Sequence, residues 1–305
     1  MRDIISIEDL ERSDIEKMFD AAFEIESKKL HKSSWCLLKD KTVILAFFEP
    51  STRTRLSFEL ASKRLCAHTL SVVGEEAISL AKGESFRDTI KVFDTLGDLI
   101  VIRHSREGSA RYAAEIAESP VINAGDGRNH HPTQSLIDLY TIKKLKGDID
   151  GLSYAVVGDL RYARTARSFL LALTKFKPKS IYLVAPPPLK PPHNLLEKLR
   201  NKGFRIYETE KVEDVINMVD VLYVTRIQRE RIPDPQEYER VKGSYRITRD
   251  LLRKAKSDLI VLHPLPRLDE LDIAIDETKH AAYFEQVKSA VPIRMTALAW
   301  SAGVL

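Results

Sequence analysis

The sequence predicts an α/β protein of two tandem domains, each an open, mostly parallel sheet with helices on both faces. Two observations carry that expectation. Short β-branched, apolar runs alternate with longer stretches of helical periodicity along nearly the whole chain, the pattern of parallel strands joined by covering helices. The alternation breaks once, at KGDIDG (Lys146–Gly151), and then restarts. A chain of 305 residues, 44% apolar, is long enough for two ordinary cores. The expected domains are therefore residues 1–148 and 149–291, with an apolar terminal helix, residues 292–305, packing back on the first.

The first domain opens with helical periodicity over Ile15–Leu30. Thr42–Phe48 reads as a buried strand and Thr52–Leu65 as its helix, with Leu56, Leu60, Ala61 and Leu65 on one face and Ser51 as N-cap. His68–Val73 alternates like a strand, and Ala77–Ser85 is a polar loop. Helix Phe86–Leu96, strand Leu99–Ile102, helix Ser109–Glu118, strand Val121–Ala124 and helix Ser135–Lys144 follow. The second domain runs strand Tyr154–Val157, helix Thr165–Phe176, strand Ile181–Val184, helix Asn194–Lys202 and strand Arg205–Glu208. It continues with helix Val212–Met218, strand Val221–Val224, a polar loop-rich segment Arg226–Lys242 and strand Leu259–Leu262. Ala185–Pro192 (APPPLKPP) is read as a stiff surface loop, and Met295–Val304 as a terminal apolar helix.

Composition excludes several function classes. Forty-eight basic against 44 acidic residues give a net charge of +4, spread along the chain. That is no basic block for nucleic acid, and there is no aromatic stacking series. The longest apolar runs fall short of a membrane span, and the N-terminus is charged from residue 2, unlike a signal peptide. Cys36 and Cys66 offer neither metal-ligand spacing nor a disulfide framework, which points to a reducing cytoplasm. There is no Walker loop, GxGxxG or nucleophile triad. No cofactor and no metal are expected.

In open parallel sheets ligands bind beyond the carboxyl ends of the strands, and there this chain concentrates polar and cationic groups. STRTR (residues 51–55) joins a strand to a helix start, where N–H donors, helix dipole and guanidinium groups all favour a dianionic phosphate. Arg103 and His104 follow the next strand, then Asp126, His131 and Gln134. Pro132 suits a helix start, which sets His131 beside Gln134 on one face, able to donate to a carbonyl oxygen and to meet an amide NH₂. His130 is read as structural. In the second domain GDLRYART, TRIQRER and HPLPR end strands. The prolines of HPLP force irregular backbone whose carbonyls can accept from an amine. Such a site suits transfer between two bound substrates by positioning and charge stabilisation. It is expected in the cleft between the domains.

STRTR at 51–55, SLAKGES at 79–85, HPTQ at 131–134, GDLRYART at 158–165, TRIQRER at 225–231 and HPLPR at 263–267 occur in an order that resembles the aspartate/ornithine carbamoyltransferase family over essentially the whole chain. The resemblance is closest to its aspartate-using catalytic chains. STRTR and HPxxQ are shared with the ornithine branch, whereas Pro264 stands where that branch typically has cysteine. The resemblance implies transfer of the carbamoyl group of carbamoyl phosphate to L-aspartate, an early step of pyrimidine biosynthesis. It implies that Ser51, Thr52, Arg53 and Thr54 hold the phosphate, and that Arg103, His131 and Thr54 polarise the carbamoyl oxygen. Gln134 and the backbone of Leu265 and Pro266 would bind its NH₂. Arg164, Arg226, Gln228 and Lys82 would hold aspartate, Ser79 and Lys82 would come from a neighbouring subunit, and Glu49 would bridge to Arg164 and Arg231 when the domains close. A homotrimer with shared active sites, and a regulatory chain building a larger allosteric assembly, belong to the same implication. Pro50 departs from the alanine frequent in bacterial relatives, and the loop at Ser79 is one residue shorter than the SLGKKGE form.

The residue types fit this chemistry. Aspartate's neutral amine would attack the carbamoyl carbon while Arg103, Thr54 and a donating His131 stabilise charge on the oxygen. The departing phosphate, or alternatively His131, would take the amine proton. Paired guanidinium forks suit a dicarboxylate and repel ornithine's ammonium. An ornithine-type carbamoyltransferase and a non-catalytic anion-binding paralogue are the alternatives.

Overall fold

The computed structural model describes residues 2–27, 35–74 and 83–305. Contacts divide the chain into two units, Met1–Ile137 with Ser289–Leu305, and Asp138–Lys288. Both divides fall inside helices, the first of which ends at Lys146, where KGDIDG begins.

In the first unit the strands are β1 (Thr42–Phe47), β2 (His68–Val73), β3 (Leu99–His104) and β4 (Val121–Asp126), parallel and in the order β2-β1-β3-β4. The helices are α1 (Arg12–Ser27), α2 (Thr52–Arg64), α3 (Phe86–Leu96) and α4 (Ser109–Ile116), joined by the start of α5 (Pro132–Lys146) and the end of α10 (Tyr283–Ser301). The strands β1, β3 and β4 are almost wholly buried, as expected for β-branched runs covered on both faces. Ile44, Ala46, Ile100 and Ile102 pack with Ile90, Phe93 and Ala113 to form a core.

The second unit has β5 (Ser153–Val157), β6 (Ser180–Val184), β7 (Ile206–Thr209), β8 (Val221–Val224) and β9 (Ile260–Leu262), all parallel, in the order β7-β6-β5-β8-β9. Its helices include α6 (Arg164–Leu173), α7 (His193–Asn201), α8 (Pro235–Val241) and α9 (Arg249–Leu252). Gly158 closes β5 with φ 117°, and a Cβ there would lie 2.3 Å from the Thr225 carbonyl oxygen. Only glycine permits that approach of β5 to the end of β8.

Several expectations need correction. Leu56 and Leu60 do not face the core: they are 49% and 42% exposed, while Phe58, Ala61 and Leu65 are buried. The helix carries two apolar stripes, and the sheet takes only one. Val212–Met218 is a single 3-10 turn and further turns, not a helix. The segment Arg226–Lys242 holds a 3-10 turn (Arg229–Arg231) and α8, whose N-cap Asp234 accepts from Gln236 N–H at 2.9 Å. Arg103 and His104 lie within β3 rather than after it. The terminal helix α10 begins at Tyr283 and runs through Pro292. Proline normally stops a helix, yet α10 continues on both sides of it, so its start lies earlier than the apolar periodicity places it.

The two cysteines are also not independent. Cys36 and Cys66 form a disulfide across 30 residues, with Cα atoms 4.8 Å apart. The strand–turn–helix unit folds back on itself: Leu38 N–H donates to the Leu65 carbonyl at 2.9 Å and His68 N–H to that of Lys41 at 2.8 Å. The flanks of β1 and α2 therefore meet, and Cys66 turns there with φ 63°. Neither cysteine count nor spacing carries that information.

Closing a loop of this length stabilises by about 3.5 kcal/mol on chain-entropy grounds. Cys36→Ser is expected to lower unfolding free energy by up to that amount in denaturant titrations. Reductant should lower the wild-type protein to the same level and leave the variant unmoved.

Candidate active site

In the first unit the phosphate-type cluster forms at the start of α2. Ser51 is the N-cap in extended conformation, yet its side chain makes no capping bond, and the first turn contains no acidic residue. The positive dipole end of this helix thus carries arginines and no carboxylate of its own, an arrangement that suits an anion. Thr52 and Arg53 are exposed there and Thr54 is buried. Arg55 instead pairs along the helix with Glu59 at 3.1 Å.

Arg103 is buried near the end of β3. It donates to Glu49 Oε1 at 2.7 Å and to the Ala124 carbonyl at 3.2 Å. Glu49 thus pairs with Arg103 inside the first unit. His131 is buried directly before α5, which starts at Pro132 as the motif implies, and its carbonyl accepts from Gln134 N–H at 3.0 Å. Asp126 fixes the loop that delivers it. Its carboxylate accepts from Asn123 Nδ2 (2.8 Å), His130 N–H (2.9 Å), Gly108 N–H (2.9 Å) and Asn129 Nδ2 (3.1 Å). His130 lies 3.4 Å from Ser6 Oγ through Nδ1.

Arg294 was not singled out from the sequence. It lies on α10, fully enclosed, 4.8 Å above the Phe58 ring, with weak contacts to the Arg53 and Thr54 carbonyls at 3.5 and 3.4 Å. Among the described residues it has no carboxylate partner. Burial, then the nearby Arg103 charge, lower its proton affinity. A second buried cation beneath the α2 start raises the positive potential there.

The second unit holds the other motif residues. Arg164 is buried at the first position of α6, whose N-cap Ala163 likewise makes no side-chain capping bond. Arg226 follows β8 and grips Glu230 with both terminal nitrogens, one bond measuring 3.0 Å. Burial alone would raise the Glu230 carboxyl, but the Arg226 bonds hold it below its ordinary range. Gln228 and Arg231 stand in the same turn. Leu265 has φ 56° and is joined to Pro266 by a cis peptide bond. Ser79 and Lys82 lie outside the described residues.

Asp159 orders this end of the sheet, although the sequence reading passed over it. It is fully buried and accepts from the N–H groups of Tyr162 (2.8 Å), Gln228 (3.0 Å) and Arg161 (3.2 Å). One carboxylate thus ties the turn before Arg164 to the turn after Arg226. The only sequence signal was its place in GDLR, an aspartate directly after a strand-ending glycine.

Comparison with known proteins gives the family. The description of the aspartate/ornithine carbamoyltransferase carbamoyl-P binding domain matches residues 2–144, and that of the Asp/Orn binding domain matches residues 150–301. The chain belongs to the aspartate/ornithine carbamoyltransferase family. The aspartate carbamoyltransferase catalytic subunit of Ignicoccus hospitalis is 66% identical over 305 residues, 100% of both chains. That of Hyperthermus butylicus is 55% identical over 99% of this chain and 96% of its own. Among solved structures, the aspartate transcarbamoylase of Trypanosoma cruzi in complex with carbamoyl phosphate and aspartate aligns with TM-score 0.93 at 36% identity, covering 98% of this chain and 96% of that one. The catalytic subunit from M. jannaschii aligns with TM-score 0.89 at 46% identity, covering 98% and 97%. Among the described residues no group of three or more His, Cys, Asp or Glu could hold a metal ion, and no helix is long and apolar enough to cross a membrane.

Burial, against three backbone N–H bonds and the Arg231 charge, pushes the Asp159 carboxyl up to about 6 from an ordinary 3.8. The folded state then holds this proton more tightly than the unfolded chain, so stability falls as pH rises from about 4 to about 6. The contribution is about 3 kcal/mol at most. Asp159→Asn should carry a constant penalty for its lost acceptor and lack this slope. Urea titrations of both proteins at pH 4 and pH 7 check it; parallel changes would show that Asp159 does not titrate in this range.

Proposed function

We propose that the chain transfers the carbamoyl group of carbamoyl phosphate to the amino group of L-aspartate, giving N-carbamoyl-L-aspartate and phosphate. The observation that carries this reading is the open start of α2, with exposed Arg53 beside an N-cap that makes no side-chain bond. It suits a dianion better than a structural cap. Ser51, Thr52, Arg53 and Thr54 hold the phosphate. Thr54, Arg103 and His131 donate to the carbamoyl oxygen, and Gln134 with the Leu265 and Pro266 carbonyls takes the NH₂ group.

On the acceptor side, Arg164 and Arg226 bind the two carboxylates with Gln228 assisting, and Arg226 exchanges Glu230 for substrate. Lys82 joins them, supplied with Ser79 by a neighbouring copy. Attack by the neutral amine on the carbamoyl carbon forms the C–N bond and expels phosphate as the C–O bond breaks. The departing phosphate takes the amine proton, because His131 is engaged as a donor. Two guanidinium groups attract a dicarboxylate and repel an ammonium side chain, which favours aspartate over ornithine.

The assembly belongs to the same proposal. Leu56, Leu60 and Leu70 expose large apolar side chains on α2 and the edge strand β2, a face that a second copy of the chain would cover. We infer a homotrimer, open to a regulatory chain in a larger allosteric particle. Its setting is cytoplasmic and its place is in pyrimidine biosynthesis. Cys36–Cys66 is then an intracellular disulfide, a feature uncommon outside heat-adapted proteins.

Carbamoyl transfer assayed with aspartate and with ornithine tests the chemistry. Aspartate should turn over far faster, and faster ornithine turnover would reverse the assignment. His131→Ala should lower kcat by on the order of 10²–10³ as one oxyanion donor is removed. Native mass measurement should give three copies per particle for the wild type. Leu56→Glu with Leu60→Glu should shift the particle towards monomer; a wild-type monomer would end the trimer proposal.

A further inference from the structure

Leu265 occupies the left-handed region at φ 56°, a strained conformation for a branched side chain that persists only when its surroundings enforce it. Three bonds centred on His263 do so. Leu265 N–H donates to His263 Nδ1 at 2.9 Å, His263 Nε2 lies 2.8 Å from Glu270 Oε1, and His263 N–H donates to Gln286 Oε1 at 2.9 Å. The Glu270 carboxylate also accepts from Leu268 N–H at 3.1 and 3.2 Å. One carboxylate thus pins both the histidine before the turn and the backbone after it.

The pattern fixes the tautomer. Leu265 N–H can only donate, so Nδ1 carries the lone pair and Nε2 the proton, which points at Glu270. Burial keeps the imidazole neutral: His263 is 1% exposed and its proton affinity is lowered, burial outweighing Glu270. Gln286 in turn bonds Asp138, whose other oxygen accepts from Tyr223 OH at 2.9 Å. The anchor therefore reaches the buried face of β8.

We propose that His263 and Glu270 are a positioning pair that holds the Leu265 carbonyl in place to accept the NH₂ of the carbamoyl donor. The inference rests on the functional reading above and adds a role for two side chains that touch no substrate. It separates the two ends of the donor. Disturbing the pair weakens recognition of the amide and leaves the phosphate end, held in the first unit, untouched.

The test uses Asn and Gln as partial mimics, since the Asn amide oxygen falls near Nδ1 and the Gln head group near Nε2. His263→Gln removes the acceptor for Leu265 N–H and should raise the KM for carbamoyl phosphate about tenfold, the loss of one hydrogen bond. His263→Asn should fall between it and wild type. Inhibition by inorganic phosphate, which has no NH₂, should keep its Ki within about twofold in both variants. A KM and a phosphate Ki that rise together, or a KM that does not move, overturn the proposal. Nitrogen-15 NMR of histidine in the wild-type protein supplies a readout that needs no variant. A neutral His263 protonated at Nε2 is expected, and protonation at Nδ1 overturns the pair's assigned role. Absence of aspartate carbamoylation by the wild-type chain would instead sink the functional reading.

Discussion

Guanidinium charge gathered where parallel strands end is the constraint on which the rest of this structure depends. Arg103, Arg164 and Arg294 are buried, and a buried cation is tolerated only when something compensates it. The chain supplies part of that compensation itself, through Glu49 for Arg103 and Glu230 for Arg226. At the starts of α2 and α6 the helices add none of their own: no acidic residue enters the first turn and no side chain caps the helix. The fold positions these deficits because a parallel sheet points every strand's carboxyl end, and every following helix start, the same way.

Rigid carboxylates keep that arrangement from drifting. Asp126 receives bonds from four groups around the loop that delivers His131, and Asp159 gathers three N–H groups from two turns of the second sheet. Glu270 does the same for HPLP through His263. Each is an anion that never meets a substrate on the proposed reading, and each sits just behind groups that do. Their satisfied lone pairs explain how buried carboxylates survive beside a site that demands negative charge.

What could be read from the sequence was whatever announces itself locally. Strands β1, β5 and β8 and helices α2 and α3 follow from periodicity. STRTR, HPTQ and HPLPR stand out because arginine, histidine and proline clusters after strands are unusual. Contacts distant in sequence could not be read. The Cys36–Cys66 bond needs the fold of β1 and α2 to bring its ends together. Arg294 sits in an apolar helix some 240 residues from the turn it underlies, and nothing around it signals that burial. Leu56 and Leu60 share helical spacing with Ala61 and Leu65, but the sheet selects Phe58's side, and periodicity cannot say which of two stripes wins. Periodicity also starts the terminal helix too late: α10 runs from Tyr283 through Pro292, a residue that local preference would use to end a helix.

The internal ion pairs also bear on selectivity. A glutamate brings one charge and two acceptor oxygens to its arginine, and it is tethered, so no translational entropy is lost when it binds. A monoanion from solvent must lose that entropy to gain the same charge, and so displaces Glu230 from Arg226 poorly. A second anionic group on the same ligand changes the comparison, because a single loss of free motion then brings two charge-assisted contacts. On the proposed reading, a dicarboxylate that reaches both Arg226 and Arg164 meets the threshold that Glu230 sets better than an amino acid with a single carboxylate. On the same reading Glu49 plays this part for Arg103 when carbamoyl phosphate binds. On the proposed reading these two carboxylates therefore act as competitors as well as counter-ions, and they favour ligands of double charge at Arg103 and Arg226.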